Sequence, residues 1–217
     1  MLSGDRVLLN VGNYKFNVRH LLIIAVLAIA FSTAFIMRSF PIKYGYYLNE
    51  FDPYFDYRAT KYIVDNGLEA YLKWHDNMSW YPDGRDIPKT SQVGLHVTAA
   101  YLYKIFGGNS SILDFTIIFP VVIGSLTTIV VFALVRSLGG TTAGLFSELL
   151  IAFTPAIIQR GNLGWFKSEP LGLFLGLLAL YLLISAMKHK PRIAIVKAIA
   201  GGLLLGLANA SWGGIQY

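Results

Sequence analysis

Five apolar runs partition this chain, at residues 21–37, 112–135, 142–158, 169–187 and 193–211, and their lengths suit a bilayer better than any aqueous core. An α-helix rises 1.5 Å per residue, so a hydrocarbon layer about 30 Å thick takes roughly 20 residues. Only 14% of the 217 residues are charged and 55% are hydrophobic, against about a quarter charged in soluble domains. The expected fold is therefore an all-α integral membrane protein with about five transmembrane helices. The first run is long for a signal-peptide core and no small-residue cleavage site follows it, so it is read as an anchor.

Charge sets the threading. The segment 1–20 carries Arg6, Lys15 and Arg19, and "KHKPR" at 188–192 joins the last two runs. Short basic loops stay in the cytoplasm. Both segments then lie inside, with four crossings between them. That count requires Val93–Phe106, 14 residues containing His96 and Lys104, to lie on the surface rather than cross. The segments 38–111 and 159–168 become first and second outer loops on one face. The net charge of +6 is thus a property of loops, and no nucleic-acid partner is expected. With no cysteine, disulfides and thiol chemistry are excluded.

The first outer loop is much longer than a connection needs. Within it "NEFDPYFDYRATKYIVDNG" has the pattern of a helix, with Asp52 as N-cap, Pro53 in the first turn and Gly67 as the stop. The same residues also cluster Glu50, Asp52 and Asp56 beside Arg58 and Lys61. Asp52 and Asp56 fall one turn apart on one face, a carboxylate pair able to hold a hard divalent cation. Capping and cation binding both remain open here. Farther on, "WHDNMSWYPDGRD" holds a Pro-Asp-Gly turn among aromatics that also suit a membrane interface. Asn77-Met78-Ser79 and Asn109-Ser110-Ser111 fit the N-glycosylation acceptor pattern.

The second outer loop raises the same choice. In "GWFKSEP", Lys167 and Glu169 stand beside Trp165 and Phe166. Lys167 can snorkel to the interface while Glu169 and Pro170 open the next helix, or the pair can belong to a site, with Arg160 nearby to meet phosphate. Glu148 and Lys197 fall inside apolar runs toward the inner end, where an interhelical ion pair or snorkelling is the expectation.

Four stretches, "EFDPYFDYRAT" at 50–60, "WYPDGR" at 80–85, "QRGNLGWFKSE" at 159–169 and "SWGG" at 211–214, together make the chain resemble the catalytic subunit of oligosaccharyltransferase, archaeal type, over nearly its whole length after Leu21. The resemblance implies a GT-C-type glycosyltransferase membrane domain. It implies an oligosaccharide passed from a polyprenyl (dolichyl) phosphate or pyrophosphate carrier to asparagine of N-x-S/T sequons in an acceptor polypeptide. It also implies a Mg²⁺ or Mn²⁺ ion held by Asp52 and Glu169 as catalytic residues, with Arg160, Lys167, Trp165 and Arg58 facing the donor. Lys167 departs from the family pattern, which has an acidic residue at that position. The family's soluble C-terminal domain, with its sequon-reading motif, has no counterpart in the 217 residues, so a missing C-terminal portion is expected. The implied location is the cell membrane, as in archaea, or the endoplasmic reticulum membrane, with the site on the extracytoplasmic face. The alternatives are a degenerate noncatalytic homologue, another polyprenyl-sugar-dependent transferase, and a transporter. The last fits poorly with polar residues gathered outside the spans.

Overall fold

The structure is a computed structural model that describes residues 7–11 and 14–216. Arg6, counted above among the inner basic residues, lies outside them. A small antiparallel hairpin opens the described chain, β1 (Val7–Val11) and β2 (Tyr14–Asn17). Nothing in the apolar pattern announces it. Asn17 then caps α1 (Val18–Ser39): its side chain accepts from the His20 N–H while the His20 ring accepts from the Asn17 N–H, so both early donors find partners. At 22 residues, α1 is about 33 Å long, enough to cross a bilayer.

A one-turn 3₁₀ segment, Phe40–Tyr44, leads to α2 (Phe51–Tyr71). The helix starts two residues earlier than the sequence pattern suggests. Its N-cap is Glu50, with φ 67°, and no side chain caps it, so Asp52 is a first-turn residue rather than the cap. Gly67 (φ 85°) interrupts the helix, which resumes to Tyr71. Two short strands, β3 (His75–Asp76) and β4 (Arg85–Asp86), pair across the Pro-Asp-Gly turn, and α3 (Ile87–Thr90) and α4 (Val93–Phe106) follow. α4 packs on α2 and α8. Gly94 lies so close to Ser211 that an added Cβ would sit 2.6 Å from the Ser211 backbone nitrogen.

The remaining elements are α5 (Ile112–Phe153), the short α6 (Pro155–Gln159), α7 (Ser168–Ala186) and α8 (Pro191–Ser211). Among the described residues, four helices, at 18–44, 112–153, 168–186 and 191–211, are long and apolar enough to cross a membrane. At 42 residues, a straight α5 would measure about 63 Å, twice the hydrocarbon thickness. It is not straight. Gly140 takes φ 85° and ψ 176°, a conformation essentially reserved for glycine, and the chain reverses there. Gly144 consequently backs onto Phe132, where an added Cβ would meet the carbonyl oxygen at 2.9 Å. Gly161, soon after the second limb, shares Arg38 as a neighbour with Gly124 in the first. The buried hydroxyls of Ser125, Thr127 and Thr128 bond back to carbonyls of their own helix, so these three groups are satisfied within the apolar bundle.

The main core runs along the first limb of α5. Leu95, Ile117, Phe119, Val121 and Ile123 gather there with Leu163, Phe166 and Leu171. Every such side chain gains from leaving water or the headgroup region, but its wider effect is positional: Leu163 and Phe166 anchor the 159–168 loop to the helices.

Candidate functional site

The loop 160–167 is fastened on three sides by backbone bonds. Leu163 N–H donates to the Arg38 carbonyl at the end of α1 (2.9 Å), and Gly164 N–H donates to the Ile117 carbonyl in α5 (2.9 Å). Asn49 closes the third side: its N–H donates to the Gly164 carbonyl (3.0 Å) and its Nδ2 to the Leu163 carbonyl (2.7 Å). Only glycine fits at 164, because φ is 79° and an added Cβ would lie 2.2 Å from the Tyr47 carbonyl oxygen. This clamp brings residues that are more than a hundred positions apart onto one another. Glu50 and Asp52 at the start of α2 meet Lys167 at the start of α7.

The resulting constellation alternates in sign. Lys167 Nζ lies 2.8 Å from Asp52 Oδ2 and 3.6 Å from Glu50 Oε2, while Arg160 Nη1 lies 3.2 Å from Glu169 Oε1. Trp165 stands between the two cations, its ring 4.9 Å from the Lys167 ammonium and 5.3 Å from the Arg160 guanidinium. Both are within cation–π range. Burial works to lower the Lys167 pKa. The Asp52 hydrogen bond and the charges of Asp52, Glu169 and Glu50 outweigh it, so the ammonium is held above its ordinary value of 10.5. Glu169 Oε2 and Trp165 Nε1 are buried without hydrogen-bond partners among the described residues. Glu50 holds φ 67° at this point, a sparsely populated conformation for a side-chain-bearing residue that costs about 1–3 kcal/mol. It turns the chain from the Asn49 clamp into α2.

Beside this polar cluster opens a largely apolar groove of about 340 Å³, lined by Gly124, Thr127, Arg160, Gly161, Glu169 and Trp212 among others. Arg160 and Glu169 thus belong both to the charged cluster and to the groove. Next to the groove-lining glycines 124 and 161 runs the side chain of Arg38, which is fully buried. Its Nη1 donates to the Ala34 carbonyl, and its Nε and Nη2 have no partner among the described residues. The sequence marked Arg38 only as the end of the first apolar run. A cation inside the last turn of a span, rather than beyond it, is the signal that singles it out.

Two residues grouped with Asp52 in the sequence go elsewhere. Asp56 does not share its surroundings. It is buried and accepts from His96 Nε2 (2.8 Å), whose Nδ1 bonds the Tyr71 hydroxyl (2.7 Å). Burial helps push the Tyr71 pKa up to about 12. One turn further into α2 than Asp52, Asp56 is taken into a polar lock with α4. Arg58 pairs with Asp76 and reaches Ser79 (3.0 Å), and Lys61 pairs with Asp65, so neither contacts the Lys167 cluster. Among the described residues no three acidic or histidine side chains converge as a ready cation site. Glu148 and Lys197 form no ion pair. Lys197 donates to Ser185 Oγ (2.7 Å), and Glu148 is fully buried with neither oxygen bonded among the described residues.

The family model "Oligosaccharyl transferase STT3, N-terminal" matches residues 21–217. The chain belongs to the STT3 family. Among curated relatives, this STT3-family chain is 33% identical over 209 residues to the dolichyl-diphosphooligosaccharide–protein glycosyltransferase subunit STT3B of Oryza sativa subsp. japonica, covering 91% of this chain and 28% of that protein. To STT3B of Arabidopsis thaliana it is 33% identical over 201 residues, covering 91% of this chain and 27% of the relative. It therefore spans little more than a quarter of the length of the relatives it matches. The archaeal oligosaccharyltransferase AglB from Archaeoglobus fulgidus, in complex with an inhibitory peptide and a dolichol-phosphate, has the same fold. The TM-score is 0.76 at 21% identity, over 91% of this chain and 24% of that one. The apo form of the Archaeoglobus fulgidus enzyme gives 0.76 at 22% identity.

Proposed function

We propose that this chain is the donor-binding membrane part of an oligosaccharyltransferase, and that it transfers an oligosaccharide from a polyprenyl phosphate or pyrophosphate to the asparagine of N-x-S/T sequons together with a C-terminal portion beyond its 217 residues. The observation that carries this reading is the Lys167–Asp52–Glu50 and Arg160–Glu169 cluster at the rim of the apolar groove. The groove suits a polyprenyl chain, and the cations at its rim suit the attached phosphate. During transfer a bond forms between the acceptor amide nitrogen and the sugar C1 as that nitrogen gives up one proton to water, the C1–oxygen bond to phosphate breaks, and negative charge grows on the leaving oxygen. Lys167 and Arg160 stand where they would hold that oxygen's phosphate, and Trp165 keeps the two cations apart. Charge stabilisation of this kind is a major source of catalysis.

Asp52 and Glu169 would hold a Mg²⁺ or Mn²⁺ ion, whose charge neutralises the departing phosphate. Two carboxylates suffice for Mg²⁺ when substrate phosphate completes the shell. The half-free state of Glu169 and the exposure of Asp52 leave oxygens for it, but Lys167 competes for Asp52 until a phosphate draws the ammonium away. Metal should accordingly bind well only with donor present. In this reading the loop end faces the extracytoplasmic side of a cell or endoplasmic reticulum membrane, with 1–20 and 188–192 inside and five crossings.

The test is binding of Mn²⁺ and of a lipid pyrophosphate by the chain in detergent, each alone and together, with Asp52→Ala and Glu169→Ala. Donor-dependent Mn²⁺ binding that either substitution removes supports the reading. Donor binding indifferent to Mn²⁺ and to both substitutions favours the noncatalytic homologue, in which Lys167 has replaced the metal. No donor binding at all overturns the donor-site assignment.

A further inference from the structure

At the end of the bundle away from the loops, a polar cavity of about 370 Å³ lies between the start of α1 and the Gly140 turn of α5, lined by Phe16, Asn17, Arg19, His20, Arg136 and Thr141, with Ile23 and Ile24 below. Its chemistry is one-sided. Arg19 and Arg136 have no carboxylate or hydrogen-bond partner among the described residues; Arg136 only approaches the Phe132 ring, 5.7 Å away. His20 Nδ1 accepts from the Asn17 N–H, so Nε2 carries the proton and is a donor. Asn17 Oδ1 is taken by the His20 N–H, which leaves the Asn17 amide NH₂. With the Thr141 hydroxyl, nearly every polar group left free in the cavity is a donor, and two are guanidiniums.

No acid answers them. No Asp or Glu lines the cavity, and Glu148 of α5 pairs with neither arginine, whereas Lys188, Lys190 and Arg192 add further positive charge. Asp5 lies outside the described residues. Immediately beyond the donors the wall becomes Ile23 and Ile24, on the membrane-spanning part of α1. A ligand for this cavity must be anionic at one end, rich in acceptors, and apolar where it meets the helix.

We propose that this cavity binds the phosphate headgroup of an anionic membrane phospholipid, with Arg19 and Arg136 on the phosphodiester and the first acyl carbons along Ile23 and Ile24. The site lies at the opposite end from the Lys167 cluster and stands whether or not that cluster binds a glycan donor. Bound lipid would fasten α1 to the α5 turn, because its phosphate bridges one arginine from each. Guanidinium groups are well shaped for this, as they grip phosphate oxygens bidentately, and each basic residue near a membrane surface strengthens anionic-lipid binding by roughly fivefold.

The experiment is native mass spectrometry of the chain titrated with dioleoylphosphatidylglycerol, against dioleoylphosphatidylcholine of equal chain length and against inorganic phosphate. Wild type should retain phosphatidylglycerol in preference to phosphatidylcholine. Arg19→Gln with Arg136→Gln should lower that retention about 10-fold or more, while Lys188→Gln with Lys190→Gln, equal in charge but outside the cavity, should change it much less. Equal loss from both pairs would mean diffuse surface charge and overturn the site. So would unchanged retention in the arginine pair, or displacement of the lipid by millimolar phosphate, which would make the ligand a free anion. A photoactivatable phosphatidylglycerol applied to the wild-type chain avoids dependence on any variant's folding. Label should map to 16–24 and 132–141, and label spread evenly over the helices would equally reject the proposal.

Discussion

The two ends of the helical bundle use the same cations in opposite circumstances. At the loop end Lys167, Arg160 and Arg58 each meet a carboxylate of this chain. At the other end Arg19 and Arg136 line a cavity with no acid among its lining residues and meet no carboxylate among the described residues. Charge at the loop end is therefore organised by the protein's own fold, so removing one partner disturbs geometry there. Charge at the other end is left for something outside the chain, so removing it should change binding and leave the fold alone.

The sharpest way to break that contrast is at the loop end's buried lock. His96→Ala leaves the Asp56 carboxyl buried without its imidazole partner, a loss of about 3–5 kcal/mol by the usual cost of stripping one member of a buried pair. Thermal unfolding in detergent should show it as the largest fall among these substitutions. Gly164→Ala comes next. The alanine must adopt φ 79° with its Cβ against the Tyr47 carbonyl, costing about 1–3 kcal/mol in backbone strain. It should also detach the 160–167 loop, so lipid-pyrophosphate binding falls with stability.

Lys167→Gln tests function more than folding. It should weaken lipid-pyrophosphate binding on the order of 10-fold, as expected for a lost charged hydrogen bond. Its pH dependence sharpens the point: because the folded ammonium is held above 10.5, its contribution to stability and binding is present below the ordinary lysine value. It should disappear only as pH rises through the raised one. Binding that declines already between pH 8 and 9 would contradict the Asp52 and Glu50 contacts. The smallest expected effect lies at the other end, where Arg19→Gln and Arg136→Gln should shift the unfolding free energy in lipid-free detergent by no more than about 0.5 kcal/mol. A large shift there would abolish the distinction between the two ends.

Much of the membrane fold was legible because it depends on run length. Apolar segments of spanning size must become helices when water is absent, since only a helix satisfies its own backbone groups, and the structure adds that the runs at 112–135 and 142–158 fall in two limbs of α5 that meet at Gly140. Val93–Phe106 was legible as a helix, at 14 residues short of the length a span needs, for the same reason. The β1–β2 hairpin was not, because its short segments lack a distinctive alternation. The motifs brought Asp52, Arg160, Lys167 and Glu169 to notice, but motif spacing could not say which side chains touch. Asp52 and Asp56, four residues apart, part company because α2 turns one to Lys167 and the other into the core against His96.

Taken alone, the sequence determined that the chain is helical, crosses a membrane and carries most of its acids outside the apolar runs, since these follow from composition and period. Tertiary structure alone decided that Glu50 and Asp52 face Lys167, and that Arg38 is buried beside the groove-lining glycines. It also left Arg19 and Arg136 unpaired across a cavity from each other. Those outcomes hang on contacts between segments tens to more than a hundred residues apart, set by the Asn49 clamp, the Gly164 conformation and the reversal at Gly140. Local pattern constrains only residues within a turn or two of one another.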